Sequence, residues 1–151
     1  MATLAGSISS TLYNNWALTG IGTKTLIRFG SLGWYENNYP QTQVTVTDLT
    51  EPKGKFFLDP SGSLIIHSYP RYIVNCWVPI PRGTNGTAEI QLAEDMRYEV
   101  SRIILANRNS IGDFSPIVPE DLGIPHHELD KEPRCLRYEI TLNGAHNKIT
   151  A

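Results

Sequence analysis

The residue types best suited to chemistry stand together in His126-His127-Glu128, with Asp130 close behind. Imidazole and carboxylate in one run suit zinc or iron. The spacing does not, because adjacent histidines on an extended segment point to opposite sides and no strong partner pair lies elsewhere. The run therefore reads as a solvated acidic loop. His67 and His146 each stand alone, as surface or satisfied core histidines rather than bases. Cys76 and Cys135 lack the paired spacing of a zinc site. Cys76 falls in the apolar run Tyr72 to Val78, where a free thiol behaves as a small buried hydrophobe. Reduced thiols accord with synthesis in the cytoplasm.

Other chemical signatures are missing. The chain has no Gly-x-Ser-x-Gly elbow, and Gly20-Ile21-Gly22 and Gly30-Ser31-Leu32-Gly33 lack the Lys-Ser/Thr of a phosphate-binding loop. The acid pairs Glu94-Asp95 and Glu120-Asp121 read as ordinary surface, since a general acid or base also needs burial to shift its titration. The expectation is a non-enzymatic protein with no catalytic residue, no metal and no cofactor.

Thirteen Lys and Arg against 15 Asp and Glu leave a net charge of −2, which gives no global field toward nucleic acid or anionic lipid. Arg97, Arg102 and Arg108 interleave with Glu94, Asp95 and Glu99 and read as a solvated mixed-charge helix face. No run approaches the ~20 apolar residues that span a bilayer, and the N-terminus lacks the basic start and apolar stretch of a secretory signal. The Asn85-Gly86-Thr87 sequon is a pattern short enough to arise by chance.

The elements that would position these residues follow from periodicity. Ile8, Leu12 and Trp16 recur every four residues, with Ser7, Ser9 and Ser10 as capping hydroxyls, which predicts a first helix ending before Gly20. Strands are predicted at Thr25–Phe29, at Gln43–Thr47 and at Arg71–Val78, the last as a central strand. Phe56-Phe57-Leu58 and Leu64-Ile65-Ile66-His67 flank a turn composition and read as a hairpin. A helix from about Ala88 to Asn107 carries the stripe Ile90, Ala93, Met96, Val100, Ile103 and Ile104, with Thr84 or Thr87 as cap. Leu136, Tyr138, Ile140 and Leu142 share one face of a last strand, and the residues after Asn143-Gly144 read as a tail. The reading is one domain over residues 1–151, of α+β class, with a mostly antiparallel sheet and a long hairpin flanked by two helices.

Two segments read as irregular. Residues 30–41 carry Trp34, Tyr35 and Tyr39, whose rings either fold back on the domain or anchor an interface. Residues 109–133 hold four prolines and two glycines and are too long for a plain connector, so they are functional or draped over the surface. Phe114, Ile117 and Val118 are its candidate interface anchors.

This order of elements resembles the tail terminator and tail-completion proteins of tailed phages and related archaeal viruses. A helix ending near Trp16 precedes a strand, a loop with Pro40, the alternating Val44 and Val46, a hairpin and the strong strand Arg71 to Val78. The helix Ala88 to Asn107 then leads to Arg137-Tyr138-Glu139-Ile140. The resemblance implies a homo-oligomeric ring, usually a hexamer, that ends tail-tube growth and forms the joint to the head. Its partners would be further copies of itself, the tail tube protein and head-completion or connector proteins, within the virion neck. Residues 109–133 depart from the compact pattern of that family and read as a clamp onto a neighbouring subunit. The alternatives are a head-completion adaptor, a minor tail protein, or a small ligand- or metal-binding domain using the sheet face and His126-His127-Glu128. Replacing Trp34 and Tyr35 by Ala is expected to weaken assembly without unfolding the domain.

Overall fold

The computed structural model describes residues 4–20, 23–30, 41–48, 55–58, 60–62, 64–68, 71–111, 116–129, 134–144 and 147–150. Its elements run α1 (Leu4–Asn15), β1 (Arg28–Gly30), β2 (Gln43–Asp48), β3 (Lys55–Leu58), β4 (Leu64–Ser68), β5 (Arg71–Pro79), α2 (Thr87–Ala106), β6 (Ile117–Pro119), β7 (Ile124–Glu128), β8 (Cys135–Gly144) and β9 (Asn147–Thr150). The α+β class is as the sequence indicates.

One sheet has the order β1-β2-β5-β8-β6, with β7 also pairing β8. Every pairing in it is antiparallel except β1 with β2. β5 lies between β2 and β8, as its continuous apolar character requires. β8 is shared along its other edge, where β7 pairs residues 135–139 and β6 pairs 142–144. β3 and β4 form the expected hairpin, and β9 adds to it to make a separate three-stranded sheet. The stretch read as irregular thus supplies two strands and the tail supplies a third. Their pairing energy comes from partners outside each segment, which its own turn-rich composition does not reveal.

Side-chain alternation divides the larger sheet into two faces. Val44, Val46, Val74, Cys76, Val78, Leu136, Tyr138, Ile140 and Leu142 lie on one face and join a single core with both helices. α1 contributes Ile8, Leu12 and Trp16 to it. Ala5 is buried one turn before Ile8, and α1 already includes Leu4, so the serines offered as caps lie within it. β1 begins three residues later than expected, because the N–H groups of Thr23 and Leu26 close turns onto the carbonyls of Gly20 and Thr23.

α2 buries Ala93, Met96, Val100, Ile103 and Ile104, whereas Ile90 is 41% exposed, so the stripe engages the core only from the second turn. Neither threonine caps this helix. Gly86 holds the N-cap at φ 77, a left-handed conformation that glycine adopts without a Cβ clash. The Asn85 Oδ1 accepts the Thr87 N–H at 3.1 Å, while the Thr84 hydroxyl donates to the Pro81 carbonyl at 2.9 Å. The asparagine of the sequon therefore shapes the entry to α2.

The charges of α2 depart from the solvated face read in sequence. Glu99 is buried and accepts the Ala17 N–H at 2.8 Å and the Arg102 Nε–H at 3.0 Å. Arg102 also donates to the Asn15 carbonyl at 2.9 Å. The pair satisfies backbone groups just at and beyond the end of α1, which intrahelical bonds leave open. Burial opposes ionisation of Glu99, but the Arg102 hydrogen bond, the Ala17 N–H and the Arg102 charge outweigh it and hold the carboxyl below its ordinary range.

A depressed folded pKa contributes stability that is present above the ordinary glutamate value of 4.5 and is lost as pH falls through the lower folded value. Glu99→Gln is expected to destabilise the fold by about 1–3 kcal/mol at neutral pH and to flatten the acid limb of stability. Urea unfolding across a pH series measures both.

Candidate functional site

The opposite face of the sheet is polar and lies in cross-strand rows. Register aligns Gln43, Trp77, Arg137 and His126 in one row and Thr45, Asn75, Glu139 and Ile124 in the next. Such directly opposed side chains are the units that interact across a sheet. Gln43, Thr45, Asn75 and Thr141 are all buried.

Arg137 is the hub. Its Nε donates to Glu128 Oε1 at 2.9 Å, and its Nη1 donates to Glu139 Oε2 at 2.8 Å and to Asn75 Oδ1 at 3.0 Å. Its guanidinium carbon lies 5.2 Å from the Trp77 ring centre, within cation–π range. The Trp77 indole N–H in turn donates to Thr45 Oγ1 at 3.0 Å. His126 Nε2 stands 3.4 Å from Glu139 Oε2. A planar fork with several fixed donors suits this position, where one cation must bridge three strands. The network directs its hydrogen bonds inward and joins β7 to β8 and β5.

A second arginine grips the start of β7 from the helical face. Arg97 Nη1 lies 3.3 Å from the Leu122 carbonyl and 3.4 Å from that of Gly123. Its guanidinium carbon is 4.7 Å from the Tyr138 ring centre and 4.9 Å from that of Tyr98. Gly123 adopts φ 100, and a Cβ there would meet Ile140 Cγ1 at 3.3 Å and Arg97 Cδ at 3.4 Å. Only glycine gives the chain this close approach without strain.

The arrangement positions a strand and presents little that reacts. His126 is half-buried and His127 exposed, on opposite sides of β7 as their adjacency requires. The run is an edge strand rather than the solvated loop read in sequence, because Arg137 binds Glu128 and draws the segment onto β8. Asp130 lies outside the described residues. Among the described residues no group of three or more His, Cys, Asp or Glu side chains is placed to hold a metal ion. Burial pushes the Cys76 thiol up to about 12, and a protonated thiol is a poor nucleophile. A shallow depression of about 170 Å³ lies between Thr42, Val78, Pro79, Ala88, Glu89 and Leu92, with Glu89 its one ionisable member. No described helix is long and apolar enough to cross a membrane.

The interface residues chosen from sequence separate. Trp34, Tyr35, Tyr39 and Phe114 lie outside the described residues. Ile117 is 1% exposed and belongs to the core of its own chain, so it has no surface to offer a partner. Val118 points the other way on β6, half-buried opposite Asn143. Sequence reasoning passed over Leu122, Ile124 and Leu129, which are 62, 49 and 71% exposed. All three flank or belong to β7, at the margin of the sheet. The signal was present, since each is a large apolar residue in the same irregular stretch as Phe114.

If Arg137 holds β7 in place, Arg137→Lys removes the fork and leaves its carboxylates short of donors. The expected cost is about 1–3 kcal/mol, with faster amide exchange at residues 124–128 and unchanged exchange in β5. Hydrogen–deuterium exchange with fragment analysis checks this; uniform acceleration across the sheet would assign Arg137 to global stability instead. No protein-family model matches the chain, and no curated protein matches it in sequence.

Proposed function

We propose that the protein is a structural subunit of a tailed virus particle, a tail terminator or tail-completion protein. It assembles into a homo-oligomeric ring, a hexamer by resemblance, at the head–tail joint and ends growth of the tail tube. The observation that supports assembly is the exposure of Leu122, Ile124 and Leu129 along one sheet margin, beside a strand with an open outer edge among the described residues. Large apolar side chains exposed along one margin are candidate contact points for a partner. A ring needs no reactive group, because repeated modest contacts add up to a stable closed assembly. The Arg137 and Arg97 networks fit this role, since they fix the position of the strand that carries the surface. The placement in a viral neck rests on the resemblance in element order. Residues Trp34, Tyr35, Tyr39, Phe114 and Val118 remain the further interface candidates.

The ring reading is tested by light scattering coupled to size exclusion on the purified chain, alone and with any tail tube protein that its neighbouring genes encode. The expected result is a species of several subunits, seen as an annulus by negative-stain microscopy. A monomer under both conditions overturns the reading.

A further inference from the structure

We propose that Asn85 is a site of spontaneous deamidation, at which the folded chain converts its own side-chain amide to a carboxylic acid. The sequence offers the same dipeptide as Asn85-Gly86 and as Asn143-Gly144, and the fold gives the two opposite settings. Only the first is open to reaction.

The chemistry is an attack within the chain. The Gly86 backbone nitrogen gives up its proton to hydroxide and bonds to Cγ of Asn85, closing a five-membered succinimide. The Cγ–Nδ2 bond breaks, and the amide nitrogen takes a proton from water and leaves as ammonia. Water then opens the ring at either carbonyl. Hydrolysis at Cγ frees the Gly86 nitrogen and leaves aspartate at position 85. Hydrolysis at the main-chain carbonyl leaves Gly86 bonded through Cγ, which is isoaspartate and adds a carbon to the backbone just before α2. Amide and water become acid and ammonia, so no oxidant or reductant is needed.

Three observations favour Asn85. The residue is exposed, so water and hydroxide reach it. Gly86 has no Cβ to crowd the attacking nitrogen. The Asn85 Oδ1 accepts the Thr87 N–H at 3.1 Å, which folds the side-chain amide over the intervening Gly86 peptide. The same donor also stabilises the negative charge that grows on Oδ1 as the nitrogen adds to Cγ.

Asn143-Gly144 lies inside β8. Asn143 is half-buried, with Arg71 of β5 opposite it on one edge and Val118 of β6 on the other, and Gly144 is buried opposite Ile117. On an extended strand a side chain stands off the sheet, away from the next amide nitrogen. Pairing along both edges also blocks the backbone rotation that would bring the two together.

The test incubates the purified full chain in mildly alkaline buffer and follows it over days by peptide mapping with mass spectrometry. Isoaspartate is counted in parallel by labelling with an isoaspartyl methyltransferase. The expected result is an amide-to-acid mass shift at Asn85 that forms at least ~10-fold faster than at Asn143. Its rate rises with pH, because the deprotonated nitrogen is the nucleophile. Asn85→Gln is expected to abolish both the shift and the methyl label, since its longer side chain would have to close a larger ring. In urea the two asparagines are expected to convert at similar rates, because the dipeptides are alike once the fold is gone. An Asn85 that stays intact in the folded chain while the urea-unfolded chain converts it overturns the proposal, because the turn then protects the amide. Equal rates at Asn85 and Asn143 in the folded chain overturn it as well.

Discussion

Strand β8 is the constraint on which the rest depends. It pairs with β5 along one edge and with β7 and β6 along the other, and its alternation sends Leu136, Tyr138, Ile140 and Leu142 into the helix-covered core. The same alternation turns Arg137, Glu139 and Thr141 to the polar face. A slip of one residue would exchange the two sets and bury a guanidinium and a carboxylate among Ile103, Val100 and Val74. The cost of an uncompensated buried charge makes that register unavailable, so hydrophobic pattern and ion pairing specify the same alignment.

The two arginines that hold β7 act on opposite faces for a common reason. An edge strand of five residues has pairing on one side only among the described residues, and three of its members, Ile124, Pro125 and His127, are exposed. Backbone bonds to β8 leave such a strand prone to fray. Arg97 fixes its entry through the Leu122 and Gly123 carbonyls, and Arg137 fixes its far end through Glu128. A margin held in this way presents a pre-formed surface, which lowers the ordering cost of any association made through it.

Burial also decides what the ionisable groups do. Glu99 lies on the mixed-charge helix face that sequence reads as solvated, yet it ties the Ala17 N–H to Arg102 and so joins the end of α1 to α2. Cys76 lies deep in the sheet with its thiol held protonated. In both cases the side chain serves the fold.

By itself the sequence determined the class, the two helices, the central strand, the hairpin and the apolar face of β8. Each of these rests on periodicity over a local window: Ile8, Leu12 and Trp16 every four residues, or Leu136 to Leu142 every two, which commits a face to burial whatever covers it. The tertiary structure alone decided that residues 117–119 and 124–128 are strands, that Ile117 is core, and that Glu99 is buried. Short strands rich in proline and histidine have no local pattern to announce them, and they form only because β8 offers an edge and Arg137 a cation. Whether an apolar residue in such a stretch faces inward, as Ile117 does, or outward, as Leu122 and Leu129 do, is set by how the stretch pairs with β8, 7 to 27 residues further along the chain, and composition holds no trace of that choice.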